Sequence, residues 1–269
     1  MAAGIHTAVF VGESGDNTFA ALNAQSDGVL GIRNNRLIPT TNMSLLAAAA
    51  TGATLSGARI STPSTVISPA HIHPYNNNAT VPSDPNVLTC VQNPVVMRSG
   101  EEITVETQAD SAVPAVAVLW LCQQMDPVPP GESYWIRFFL SADTQVFPTG
   151  VWTTATFVVF ERSSLPSGRY AIVGFDLAGT GTQTGAAAMT LVAARLVLPG
   201  EVMRPGALIL PGRGATPHRM VEDASLGVLG KFDALLPPAI EIFGVVPAAG
   251  TQTYSLNFLD GYLRIIKIA

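Results

Sequence analysis

Lysine is almost missing from this chain: it occupies two of 269 positions, Lys231 and Lys267. Charged residues of every kind make up only 12% of the sequence, about half of the roughly 25% usual in soluble domains. Lysine keeps surfaces hydrated and, on an outer strand, discourages pairing with another sheet edge. A chain that dispenses with it is not expected to show most of its surface to water. Its surface should be covered by copies of itself or by partners. Other scarcities exclude whole classes. Two cysteines cannot make a disulfide framework, and Cys90 and Cys122 read as free thiols. The net charge is −5, and the twelve arginines are scattered. That argues against wrapping nucleic acid, which needs clustered cations to release counterions. The most apolar stretch, 113–122, is interrupted by Pro114 and is too short to span a bilayer. The first residues, Met-Ala-Ala-Gly-Ile-His-Thr, hold no basic segment followed by an apolar core, so synthesis in the cytoplasm without a signal peptide is expected.

What is abundant is strand material. Ile103-Thr104-Val105-Glu106-Thr107 alternates apolar and polar residues, the pattern of a half-buried strand. The run 151–160 is rich in β-branched and aromatic residues. Similar runs cover 115–121, 134–140, 170–175, 189–198, 207–210, 241–246, 251–258 and 262–268, and most are bounded by Gly, Pro, Asp or Ser. Generous counting gives about 14–17 strands at the close spacing of sandwiches and barrels. Helix signals are few. Ser44-Leu45-Leu46 followed by four alanines predicts a short helix capped by Ser44, and 220–229 predicts another, weakened by Gly227. The segment Pro63 to Pro85, with five prolines and Asn76-Asn77-Asn78, predicts a long irregular loop in contact with a neighbouring subunit.

The fold class expected is all-β. Met125-Asp126-Pro127-Val128-Pro129-Pro130-Gly131-Glu132 reads as a stiff connector. It divides the chain into a first β-sandwich (1–124), a Pro-rich linker (125–132) and a second sandwich (133–269). No internal sequence repeat is visible. The alternative is one sandwich with this segment as an internal loop.

Chemistry-bearing motifs are weak. His71-Ile72-His73 is the best metal candidate, because residues i and i+2 of a strand share a face. It resembles the first half of the cupin metal motif. The glutamate that motif requires three or four residues later is replaced by Asn76, Asn77 and Asn78. Two loop histidines are the simpler reading, and neither a metal nor another cofactor is expected. A Gly-x-Ser-x-Gly elbow is absent. The stretch 179–185, Gly-Thr-Gly-Thr-Gln-Thr-Gly, lacks the Lys-Ser/Thr of a phosphate loop and predicts a polar hairpin loop. Glu101-Glu102 and Glu222-Asp223 read as solvated pairs rather than as carboxylates facing across a cleft. Trp120, Trp135 and Trp152 read as core or interface anchors, with sugar stacking as the rival. No catalytic residues are expected, and the protein reads as a non-enzyme.

In its small-residue, Thr- and Pro-rich composition, its many short strands and its two-part layout about Pro127-Val128-Pro129-Pro130-Gly131, the chain resembles viral capsid proteins of the jelly-roll type. It looks most like the double jelly-roll coat proteins of tailless icosahedral bacterial viruses. That resemblance implies two tandem eight-stranded jelly rolls, with a single jelly roll carrying long loops as the alternative. It also implies self-association, as trimers, into an icosahedral shell. The partners implied are other copies, other capsid proteins and an internal viral membrane, and the place is the virion, with no sequence-specific nucleic acid binding. A β-sandwich adhesin or carbohydrate-binding module is the second reading, and a cupin-like metal enzyme at His71 and His73 the third.

Overall fold

The computed structural model describes residues 4–52, 54–64, 70–72, 75–76, 88–140, 145–148, 150–155, 158–161, 165–183, 192–209, 226–244 and 253–269. Among them the chain is all-β, with no helix. Its early strands are β1 (Ile5–Glu13), β2 (Gly15–Asp16), β3 (Ala20–Ala21), β4 (Asn23–Ala24), β5 (Gly31–Arg33), β6 (Arg36–Ile38) and β7 (Met43–Gly52). There follow β8 (Leu55–Ser61), β9 (Ala70–Ile72), β10 (Tyr75–Asn76), β11 (Leu88–Thr89), β12 (Val95–Met97), β13 (Thr104–Ala109) and β14 (Pro114–Cys122). The later strands are β15 (Ser133–Leu140), β16 (Gln145–Pro148), β17 (Trp152–Thr154), β18 (Val158–Phe160) and β19 (Arg169–Gln183). The last five are β20 (Val192–Val197), β21 (Gly206–Ile209), β22 (Gly230–Asp233), β23 (Ala239–Gly244) and β24 (Thr253–Lys267).

The chain divides into two compact units: 8–123, and 124–269 together with the N-terminal residues up to Thr7. The unit 8–123 holds a sheet ordered β10-β7-β14-β1-β4, with β11 and β12 also on β7. Its second sheet runs β2-β13-β8-β9, with β3 also on β13, and β5–β6 form a separate hairpin. That hairpin turns through Asn34 and Asn35, both at positive φ (51° and 59°), as a two-residue type I′ turn requires. The unit 124–269 holds a sheet ordered β18-β15-β24-β19-β22, with β16 also on β24, and a second sheet ordered β17-β23-β20-β21.

One pairing scheme occurs in both units. In 124–269, β15 pairs β24, β17 pairs β23, β19 pairs β22 and β20 pairs β21, all antiparallel. Two further antiparallel pairs, β24·β19 and β23·β20, join these into two sheets. With β16 and β18 set aside, the first of the eight remaining strands pairs the last, the second the seventh, the third the sixth and the fourth the fifth. In 8–123, with β2, β4, β5, β6, β10 and β11 likewise set aside, the same nesting joins β1 to β14, β3 to β13, β7 to β12 and β8 to β9. There β14·β7 and β13·β8 complete the two sheets.

The cores follow from residue pattern. In β13 and β8 buried residues (Val105, Thr107; Ala58, Ile60) alternate with partly exposed ones (Glu106, Gln108; Arg59, Ser61), the signature of a sheet with one covered face. By contrast β14 is buried continuously from Ala115 to Cys122, and β7 from Leu45 to Ala50. Both read as unbroken apolar runs because both faces are covered. This corrects the helix expected at 44–50. Alanine favours helices, but here Ala47, Ala48 and Ala49 lie opposite Trp120, Leu119 and Val118, and small residues leave room for those large side chains. Tertiary packing overrides local propensity.

Two other expectations are corrected. Residues 184–185 of the predicted hairpin loop lie outside the described residues, and 179–183 form the end of β19, which continues to Gln183. Its register against β24 shifts between Thr180 and Gly181, so Gly181 marks a bulge within a long strand rather than a turn. The break expected between 258 and 262 does not exist either. β24 runs unbroken through Asp260-Gly261, with Gly261 opposite Phe138 on one side and Leu177 on the other. The loop expected from Pro63 to Pro85 contains two short strands, β9 and β10, and its other residues beyond Ser64 lie outside the described set. Of the helix expected at 220–229, residues 226–229 are non-helical and the rest lie outside the described residues.

The N-terminal segment is held by the unit 124–269. The Ile5 N–H donates to the Leu229 carbonyl (3.0 Å) and the Thr7 N–H to the Arg204 carbonyl (3.0 Å). The Thr7 hydroxyl accepts from the Gly206 N–H at 2.7 Å. Gly206 must lack a side chain, because a Cβ there would meet the Ala194 carbonyl oxygen and lie 2.8 Å from the Arg195 Cβ. The Pro-rich segment is anchored in the same unit: the Asp126 carboxylate takes Lys231 Nζ at 2.6 Å, and its carbonyl accepts from the Val228 N–H at 2.9 Å. One of the chain's two lysines is thus spent on an internal ion pair.

Candidate functional site

The histidines do not form a demonstrated site. His71 lies in β9 with its backbone opposite Arg59. His73 lies outside the described residues, one position beyond the last residue of that strand. Among the described residues no three His, Cys, Asp or Glu side chains gather in a way that could hold a metal. Glu102 pairs with Arg33 (3.0 Å), and Glu101 accepts from the Ser64 hydroxyl (2.9 Å). Those two carboxylates therefore do separate structural work. Glu222 and Asp223 lie outside the described residues.

Three tryptophans take three roles. Trp120 is fully buried in β14. Trp152 lies against Phe243, its register partner across β17 and β23, with ring centres 5.3 Å apart and planes tilted by 50°. Trp135 is 44% exposed. It lies opposite Arg264 and meets Tyr262 edge-on at 6.3 Å, while its strand neighbours Ile136 and Phe138 turn the other way and are buried. This sheet face thus presents an aromatic pair flanked by the Arg137–Glu161 ion pair.

Among the described residues Leu235, at 79%, is the most exposed large apolar side chain, and its neighbour Leu236 is 59% exposed. They sit together at the turn between β22 and β23, and the turn is well fixed. The Asp233 carboxylate accepts from the Leu235 N–H (2.8 Å), the Asp233 carbonyl from the Leu236 N–H (2.9 Å) and the Gly168 carbonyl from the Ala234 N–H (2.9 Å). Pro237-Pro238 follows. Two leucines held in water by a hydrogen-bonded turn gain nothing from folding.

The strongest electrostatic feature is one that motif reading missed. Arg195, only 1% exposed, donates from Nε to Glu241 Oε2 at 2.7 Å, and Arg204 Nη1 reaches the same oxygen at 2.9 Å. The Arg195 guanidinium lies 4.0 Å from the centre of the Trp152 ring. The Arg204 backbone N–H donates to His6 Nδ1 at 3.3 Å. One carboxylate thus compensates two guanidiniums in a largely buried setting. A lone arginine in Val-Ala-Ala-Arg-Leu-Val and a lone glutamate in Ala-Ile-Glu-Ile-Phe-Gly were the only available signals.

Both cysteines are free. Burial pushes the Cys122 thiol up to about 11, and it raises Cys90 as well. A raised thiol means that the folded state holds its proton more tightly than the unfolded chain does. The corresponding stability is complete below the ordinary thiol value, about 8.5, and is lost as pH rises toward 11. The denaturant midpoint of the unit 8–123 should therefore fall between about pH 9 and pH 11. A Cys122→Ala variant should show less of that fall in a urea titration repeated across this range.

No protein-family model matches the chain, and no curated protein matches its sequence.

Proposed function

We propose that this protein is a structural subunit of a viral shell, built from two tandem jelly rolls and working by self-association rather than by catalysis. The observation that carries the reading is the pairing scheme that occurs in both units. Eight strands nested first-to-last and distributed over two sheets are what results when one long antiparallel hairpin is wound into a sandwich. That winding is the double Greek key of jelly rolls. Jelly rolls also serve lectins and cupins, so topology alone does not assign function. The composition supports the shell over those alternatives. A chain with two lysines and 12% charged residues has little means of blunting its outer strands by charge, and neighbouring subunits would cover them. Assembly as trimers, with other coat proteins and a viral membrane as further partners, follows from the resemblance to double jelly-roll coat proteins. The virion is the place that reading assigns.

Leu235 and Leu236 supply its test. In the folded monomer they contribute little to stability, because both are exposed. Changing both to aspartate should leave the thermal midpoint within about 1–2 °C of the parent, as expected of surface positions. It should also shift the sedimentation profile from trimers or larger species toward monomer. An unchanged profile would remove this turn from the assembly contacts.

The face around Trp135 favours a second reading, carbohydrate binding by stacking, because Trp135 is exposed beside Tyr262. A glycan array without hits would end it.

A further inference from the structure

Each unit contains an arginine, a glutamate and an aromatic residue arranged in the same way on its second sheet. In 124–269, Arg195 of β20 lies opposite Glu241 of β23, and Glu241 lies opposite Thr154 of β17. The aromatic Trp152 stands two residues before Thr154 and stacks on the guanidinium. In 8–123, Arg59 of β8 lies opposite Glu106 of β13, and Glu106 lies opposite Ala21 of β3. The aromatic Phe19 stands two residues before Ala21, and the Arg59 guanidinium lies 4.2 Å from the centre of its ring. In both ion pairs the arginine Nε meets a glutamate carboxylate oxygen at 2.7 Å. The residue two before the arginine is small in each case, Gly57 and Ala193. At Gly57 a Cβ would stand 3.3 Å from the Phe19 ring. The strands concerned hold equivalent ranks in the nested order: second, fourth and seventh of eight.

Chance does not readily place three residue types at three matching ranks, in matching register, with the same arginine nitrogen facing the carboxylate. We infer that Phe19–Arg59–Glu106 and Trp152–Arg195–Glu241 are two copies of one clasp, inherited through duplication of a single ancestral unit. We further infer that each clasp sets the register of its own sheet. The physical work is clear from the pattern. A strand that slips by one residue turns its apolar set to the wrong face. Here a slip would also part an ion pair directly across the ladder and move the guanidinium off a ring that lies on the third strand (Trp152 in β17) or one residue before it (Phe19 before β3). Arg, Glu and aromatic thus bind three strands at one register. The copies have since diverged. Arg195 is sealed and shares Glu241 with Arg204, whereas Arg59 is 36% exposed on its side chain and, among the described residues, Glu106 pairs with Arg59 alone. The stretch 62–69 that follows β8 holds no basic residue to match Arg204.

The inference rests on strand pairing and not on whether a shell forms, so it is tested on the purified chain. The readout is amide hydrogen exchange resolved by peptide. Glu106→Gln should speed exchange at least tenfold in β3, β8 and β13 while leaving β17, β20 and β23 unchanged, and Glu241→Gln should do the reverse. Should Glu241→Gln prevent folding, the aromatic exchange still decides. Phe19→Trp and Trp152→Phe should each keep parental exchange, because each copy accepts the other's ring, while Phe19→Ala and Trp152→Ala should lose protection in their own sheet. Unchanged exchange in Glu106→Gln, or a Phe19→Trp variant no better than Phe19→Ala, would overturn the inference.

Discussion

Replacing Glu241 by glutamine is expected to lower the unfolding midpoint of the unit 124–269 by roughly 10 °C. The carboxylate sits between Arg195 Nε at 2.7 Å and Arg204 Nη1 at 2.9 Å. Glutamine keeps the shape and removes the charge, so two guanidiniums would face each other without compensation, one of them sealed from water. Removing one partner of a buried pair costs about 3–5 kcal/mol, because the remaining charge cannot be rehydrated. For a protein of this size each kcal/mol moves the midpoint by about 2–4 °C. The same change at Glu102, whose partner Arg33 is well exposed, should cost less than about 1 kcal/mol. Differential scanning calorimetry of the two variants side by side measures the contrast directly. Equal effects would mean that burial does not govern these pairs.

The second large effect belongs to the other unit. Trp120 is fully buried near the end of β14 and lies opposite Ala47. Truncation to alanine would place two alanines against each other and leave a cavity that the central strands cannot close, since both are covered on both faces. Such truncations cost about 3–5 kcal/mol. The calorimetric transition of the unit 8–123 should move down accordingly, while that of 124–269 stays in place. Ala47→Leu should also destabilise that unit, because the room Trp120 needs would be filled. An Ala47→Leu variant as stable as the parent would contradict the small-against-large account of this strand pair.

The legible part of the fold was the part written locally. Ile103 to Thr107 alternates, and β13 follows it closely. The aromatic run 134–140 became β15. The Pro-Gly at 199–200 became a turn, with Gly200 at a φ of +81°. Misreadings arose where a residue's local preference was outvoted by its partner across the sheet. The alanines of β7 are strand because of what β14 places opposite them. The glycines near 180 are strand because β24 is long enough to pair with them. Long-range order was not legible at all. Arg59 and Glu106 lie 47 residues apart, and Arg195 and Glu241 lie 46 apart. Nothing in a single sequence says that such residues face one another. Once register is known, the near-equal separations reveal a kinship between the halves that residue identity had concealed.

The scarcity of lysine acquires a structural setting here. Lys231 is committed to Asp126, which leaves Lys267 at the end of β24 as the other lysine of the chain. Apolar residues such as Leu235, Leu236 and Trp135 stand in water instead. The proposed shell would cover this surface with neighbouring copies, and its most direct test is electron microscopy of the native material, supported by light scattering of the purified chain at micromolar concentration. The account expects trimers in solution and regular closed shells in the micrographs. A monodisperse monomer at that concentration, with no ordered particles in the native source, would contradict it.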